Sequence, residues 1–102
     1  RVIRYAFEDG FPVPEALLVA AEALYRRAGG SVLVSCAAGV SRSASVAYAL
    51  LRVVRELPHD EALERVACAG GRPRPETLAS AERWAARRLA ELAALRDPRV
   101  LL

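Results

Sequence analysis

The chain has no lysine, asparagine, glutamine or methionine, and among its 102 residues it has one histidine and two cysteines. Each scarcity closes a route. His59 alone, with Cys36 and Cys68 far apart in sequence and no CxxC pair, does not furnish a zinc site. Two cysteines give no disulfide framework either, so a reducing compartment, the cytoplasm, is expected. Apolar runs long enough for a bilayer are absent, since Arg or Glu interrupts every one, and no signal-peptide pattern stands at the start. The lack of an initiator Met predicts that residue 1 lies inside a longer reading frame.

Without lysine, all 15 basic side chains are arginine, set against 12 acids for a net charge of +3. The clusters "RRAGG", "GGRPRP" and "AARRL" carry no interleaved aromatics, so nucleic-acid binding is disfavoured and solvated helix faces are the better reading. The missing amides and methionine fit either GC-rich coding or selection against thermolabile side chains. What is present is apolar: 54% hydrophobic residues, 21 of them alanine, enough for one packed domain over residues 1–102 and too many for disorder.

The pattern along the chain alternates. "RVIRYAF" reads as the tail of a strand, and "EDGFPVP" as a loop because Gly10, Pro12 and Pro14 interrupt regular structure. "PEALLVAAEALYRRAGG" then places Leu17, Ala21, Leu24 and Ala28 on one helical stripe ended by glycines. "SVLVS" reads as a short buried strand. A second helix is expected over about residues 42–56, with Val46, Leu50, Val53 and Leu57 inward and Pro58 as its stop. "HDEALERVACAGG" is a short third helix. After the stiff "RPRP" turn, "ETLASAERWAARRLAELAAL" is a long fourth one, with Leu78, Ala81, Ala85, Leu89 and Leu92 toward the core. The order predicts an α/β fold: a small, mostly parallel sheet flanked by helices.

The stretch "SVLVSCAAGVSRSASV" carries the chemistry. A tight loop between a strand end and a helix start is where α/β folds place ligands, and the helix N-terminus favours an oxyanion. Small residues at Ala37, Ala38 and Gly39 let the backbone amides of residues 37–42, including Val40 and Ser41, approach a phosphate, and Arg42 adds a planar fork for two phosphoryl oxygens. The same field favours the Cys36 thiolate, the nucleophilic form. Arginine at the positive end of a helix dipole is itself a sign that an anion belongs there.

"CAAGVSRS" resembles the C-x5-R signature of the cysteine-dependent protein phosphatases, and in its AAGVSRS wording the dual-specificity branch. The resemblance covers roughly residues 3–95 and is specific in the loop. It implies a phosphotyrosine-phosphatase-like fold, hydrolysis of phosphomonoesters on proteins, phosphotyrosine foremost, and a phosphocysteine intermediate on Cys36. Arg42 and the loop amides would hold the transferring group, and Ser43, at the family's Ser/Thr position, would assist release of the Cys36 thiolate. Neither cofactor nor metal is implied, and the partner would be a phosphorylated protein or a small phosphomonoester.

The resemblance further implies a general acid on a separate upstream loop. Asp9, 27 residues before Cys36, is the candidate, with Glu8 as the alternative. This chain departs from the pattern at Ser35, where the family usually has histidine, and it begins after the position of the family's first strands. That makes it either a pared-down form or one whose N-terminal strands precede residue 1. A phosphate-binding pseudophosphatase with little turnover is the alternative function, and a rhodanese-type sulfur transferase is a third class whose usual loop does not close on Arg-Ser. Among the remaining candidates, Cys68 reads as a packed residue rather than a disulfide partner of Cys36. His59 reads as a helix-start surface residue, Trp84 as core or groove wall, and Arg72 and Arg74 as a solvated turn rather than a contact for an acidic substrate flank.

Overall fold

The computed structural model describes residues 3–29, 31–36 and 40–99. Four helices follow one another: α1 (Glu15–Ala28), α2 (Arg42–Val53), α3 (His59–Cys68) and α4 (Pro75–Arg96). Pro14 stands at the N-cap of α1 and Gly29, at φ 75°, ends it in the left-handed region that glycine enters without penalty. Pro58 caps α3, and Pro75 opens α4, where its missing N–H would have had no helical partner.

The helix α2 is the hub, packing on each of the other three. Its buried side chains include Val46, Tyr48, Ala49, Leu50 and Val53, and they meet Leu18 and Ala21 of α1, Ala62 and Val66 of α3, and Ala81, Trp84 and Ala85 of α4. The alanines explain the close approach of α2 and α4, while Tyr48 and Trp84 supply the bulk. Each large buried side chain contributes about 1.5–3 kcal/mol. The predicted stripes are largely the observed ones, although Ala28 is exposed and Leu57 lies beyond the end of α2.

The expected parallel sheet is not found: the described residues contain no strand, and the fold is all-helical. Residues 3–8 and 31–36 carry no helix, and no backbone ladder bond joins them. The period-two pattern of "SVLVSC" survives in exposure, with Val32, Val34 and Cys36 half-buried and Ser31, Leu33 and Ser35 exposed. Leu33 is 91% exposed. Alternation shows which side chains turn inward, but a strand also requires a neighbour to accept and donate, and among the described residues none pairs with it. No helix among the described residues is long and apolar enough to cross a membrane.

Candidate functional site

Cys36 ends the segment 31–36, and Arg42 and Ser43 open α2, so chain connectivity brings thiol and guanidinium to one end of one helix. The Cys36 Sγ lies 3.4 Å from Ser43 Oγ. With the thiol protonated it donates to the hydroxyl; with the thiolate formed, the Ser43 hydroxyl donates to sulfur and stabilises the charge. Arg42 Nη1 donates to the carbonyl of Phe7 at 3.0 Å, which ties the start of α2 to the segment leading to Asp9. That bond uses one of the five guanidinium donors. The first helical bond of α2 in this turn runs from Ser45 N to Ser41 O at 3.0 Å, so the amides of Arg42, Ser43 and Ala44 precede it at the positive end of the helix. Ala37, Ala38 and Gly39, the three small loop residues expected to cradle phosphate, lie outside the described residues. Val40 and Ser41 lie within them, and Val40 O accepts from Arg72 N at 2.7 Å.

Ser41 is buried, yet its hydroxyl does not cap α2. It donates to Asp9 Oδ1 at 2.5 Å and accepts from Arg74 N at 2.9 Å. Asp9 Oδ1 also accepts from Gly10 N at 3.0 Å, and Oδ2 is ion-paired with Arg74 Nε at 2.8 Å. The Ser41 hydrogen bond is the largest influence holding the Asp9 carboxyl below its ordinary value; desolvation, next in size, opposes it, and the hydrogen bond and charge of Arg74 and then the Gly10 amide add to the lowering. Asp9 is thus brought to the loop's C-terminal end, one residue from Arg42, as an anchored carboxylate.

The loop that carries Asp9 is fixed on α4. Gly10 N donates to Thr77 Oγ1 at 2.9 Å, Thr77 Oγ1 donates to Phe11 O at 2.9 Å, and Val13 N donates to Ser80 Oγ at 2.8 Å. Gly10 has φ 87°, which a residue with a Cβ rarely adopts. Sequence reasoning missed these anchors. Their signal was Thr77 and Ser80 on the buried stripe of α4 beside Ala81, Trp84 and Ala85, since polar side chains on a core face are there to meet polar groups. Arg74, expected as a solvated turn residue, is exposed on that turn, and its guanidinium is in addition the ion-pair partner of Asp9. Glu8, the alternative acid, is exposed.

A groove of about 790 Å³ reaches Cys36, Arg42 and Ser43 and is walled by Tyr5, Phe7 and Leu17 among others. A second, of about 440 Å³ between α1 and α4, is lined by Glu22, Arg26 and Arg88, whose charges are spent on one another. Of the remaining candidates, Cys68 is exposed at the end of α3 rather than packed. His59 is exposed, accepts or donates at Nδ1 with the Tyr48 hydroxyl at 2.8 Å, and Trp84 is core. No group of three His, Cys, Asp or Glu among the described residues is placed to hold a metal ion.

Comparison with family models, with curated proteins and with solved structures finds no match to this chain.

Proposed function

We propose that the chain is a cysteine-dependent phosphatase of the dual-specificity type, hydrolysing phosphomonoesters on proteins through phospho-Cys36. The observation that carries this reading is the Cys36–Ser43 contact of 3.4 Å at the N-terminus of α2, with Arg42 beside it and Asp9 joined to the adjoining Ser41. In the first step the Cys36 thiolate attacks phosphorus. The S–P bond forms, the P–O bond to the leaving group breaks, and the oxygen departs with the bonding pair and takes a proton from Asp9 when that group is protonated. Arg42 and the first-turn amides of α2 stabilise the equatorial oxygens. In the second step water attacks phosphorus, its proton passes to the Asp9 carboxylate, and the pair of the S–P bond returns to sulfur. The Ser43 hydroxyl donates to the thiolate as it forms. A reducing cytoplasm suits a nucleophile that must remain a thiol.

The experiment is acid quenching of the chain during turnover of a ³²P-labelled phosphotyrosine peptide, followed by mapping of the label. Phosphate on Cys36, absent in Cys36→Ser, supports the reading. A folded chain that binds vanadate and yields neither label nor free phosphate would establish the binding module instead.

A further inference from the structure

We infer that Arg74 is a positioning residue for Asp9, and that the carboxylate it pins biases this site toward aryl over alkyl phosphomonoesters. The inference rests on the phosphocysteine reading above. Both oxygens of Asp9 are engaged by donors: Ser41 Oγ and Gly10 N on Oδ1, Arg74 Nε on Oδ2. All three favour the ionised carboxylate, and taking up a proton there means surrendering one of them. The loop cannot relieve this by swinging away cheaply, because Gly10, Phe11 and Val13 are bonded to Thr77 and Ser80 on α4, and Thr77 is 0% exposed.

The charged residues adjoining the Asp9 contacts in sequence are Glu8 on its own loop, Arg42 next to Ser41, and Arg72, Arg74 and Glu76 around the turn into α4. Arg74 is the charge that acts on it. Arg74 itself is placed by its own amide, which donates to Ser41 Oγ, so one residue holds both the hydroxyl and the carboxylate that share a hydrogen bond.

The consequence falls on the leaving group. When the Cys36 S–P bond forms, the departing oxygen keeps the bonding pair. A phenol such as tyrosine, with a pKa of about 10, carries that pair with less help from a proton. A serine or threonine alkoxide is a far stronger base and needs the proton as the bond breaks. An acid kept mostly ionised therefore costs alkyl phosphates more than aryl ones. The groove at Cys36 agrees in shape and chemistry, since Tyr5, Phe7 and Leu17 offer an aromatic ring an apolar wall.

The test uses the full chain, Arg74→Gln and Arg74→Lys, with two readouts. The first is the carbon NMR titration of the Asp9 carboxyl, which needs no turnover. The second is kcat/KM against pH on a phosphotyrosine peptide and on its phosphoserine counterpart, together with the phosphate label on Cys36. Arg74→Gln is expected to raise the pH at which Asp9 titrates, carry the alkaline limb of kcat/KM upward with it, and reduce the phosphotyrosine-to-phosphoserine ratio severalfold. Arg74→Lys, which keeps the charge, is expected to restore part of each. With label on Cys36, an unmoved titration and limb in Arg74→Gln, or equal kcat/KM on the two peptides in the parent chain, overturns the inference alone. Absence of label on Cys36 overturns the underlying reading and the inference with it.

Discussion

The Ser41 hydroxyl lies 2.5 Å from Asp9 Oδ1, joining a residue at the mouth of α2 to one on a loop 32 positions earlier. It is the strongest influence lowering the Asp9 carboxyl. Ser41→Ala is therefore expected to raise the pH at which Asp9 titrates, as carbon NMR would show. The same substitution removes the acceptor of Arg74 N. Losing that bond costs about 1 kcal/mol, which in a domain of this size lowers the melting midpoint by about 4–8 °C in calorimetry.

Ser43 faces the sulfur rather than the acid, so its loss separates the two chemical steps. In the proposed mechanism, Ser43→Ala removes the hydroxyl that lies 3.4 Å from Cys36 Sγ and would donate to the thiolate as it is expelled from phosphorus. A hydrogen bond to a charged group is worth about 1.5–3 kcal/mol, so dephosphorylation of the enzyme is expected to slow by about tenfold to a hundredfold. Rapid-quench kinetics on p-nitrophenyl phosphate would show a burst of one equivalent followed by slow steady turnover. A parallel fall in burst rate and steady rate, with no burst amplitude, would contradict the assignment of Ser43 to thiolate release.

The helices were legible in the sequence because a helix states its own hydrogen bonding and leaves only its apolar stripe to find a partner. Val46, Leu50 and Val53 on α2, and Ala81 and Ala85 on α4, are buried as their spacing requires. The sheet was misread for the opposite reason. "SVLVS" has the composition and alternation of a strand, but whether its amides meet a neighbour depends on residues elsewhere, and here no ladder joins it to 3–8. The site divides along the same line. Cys36, Arg42 and Ser43 lie within eight consecutive residues, so a motif could bring them together. Arg74 and Thr77 reach the Asp9 loop across 65 and 67 positions, and no local pattern predicts such a contact. Glu22 was hidden as well, being an acid on the apolar side of α1 that only the cations of two helices make tolerable.

Glu22 is 4% exposed and is held by Arg88 Nε at 2.7 Å, Arg88 Nη2 at 3.1 Å and Arg26 Nε at 2.9 Å. Burial pushes its carboxyl up, but the two guanidinium groups outweigh burial and hold it below the usual value of 4.5. A carboxylate with a lowered folded pKa stabilises the fold fully above its unfolded pKa and loses that contribution as pH falls through the folded one. Arg88→Ala leaves the buried charge with one partner and is expected to cost about 1–3 kcal/mol at pH 7. Urea unfolding should show the gap between parent and variant full well above the ordinary carboxylate pKa and closing as the pH falls below it. A gap independent of pH would assign the loss to packing of the arginine stem instead.

Among the described glycines, Gly71 has the tightest surroundings. A Cβ built there would stand 2.5 Å from Val66 Cγ1 and 2.9 Å from both Ala44 Cβ and Val66 O, and neither a backbone oxygen nor a buried alanine yields easily. Gly71→Ala is expected to cost about 1–3 kcal/mol by overpacking. The displacement would also reach the loop, because the next residue, Arg72, holds Val40 O through its amide at 2.7 Å, and Arg74 follows on the same turn. Gly70 provides the contrast: it has φ 90° but nothing within 4 Å of a built Cβ, so Gly70→Ala carries backbone strain of about 1–2 kcal/mol without a clash. Both variants should melt earlier than the parent, but only Gly71→Ala should also weaken vanadate binding and raise KM for p-nitrophenyl phosphate. Equal vanadate affinity in the two would mean that the turn beneath Val40 does not support the proposed phosphate site.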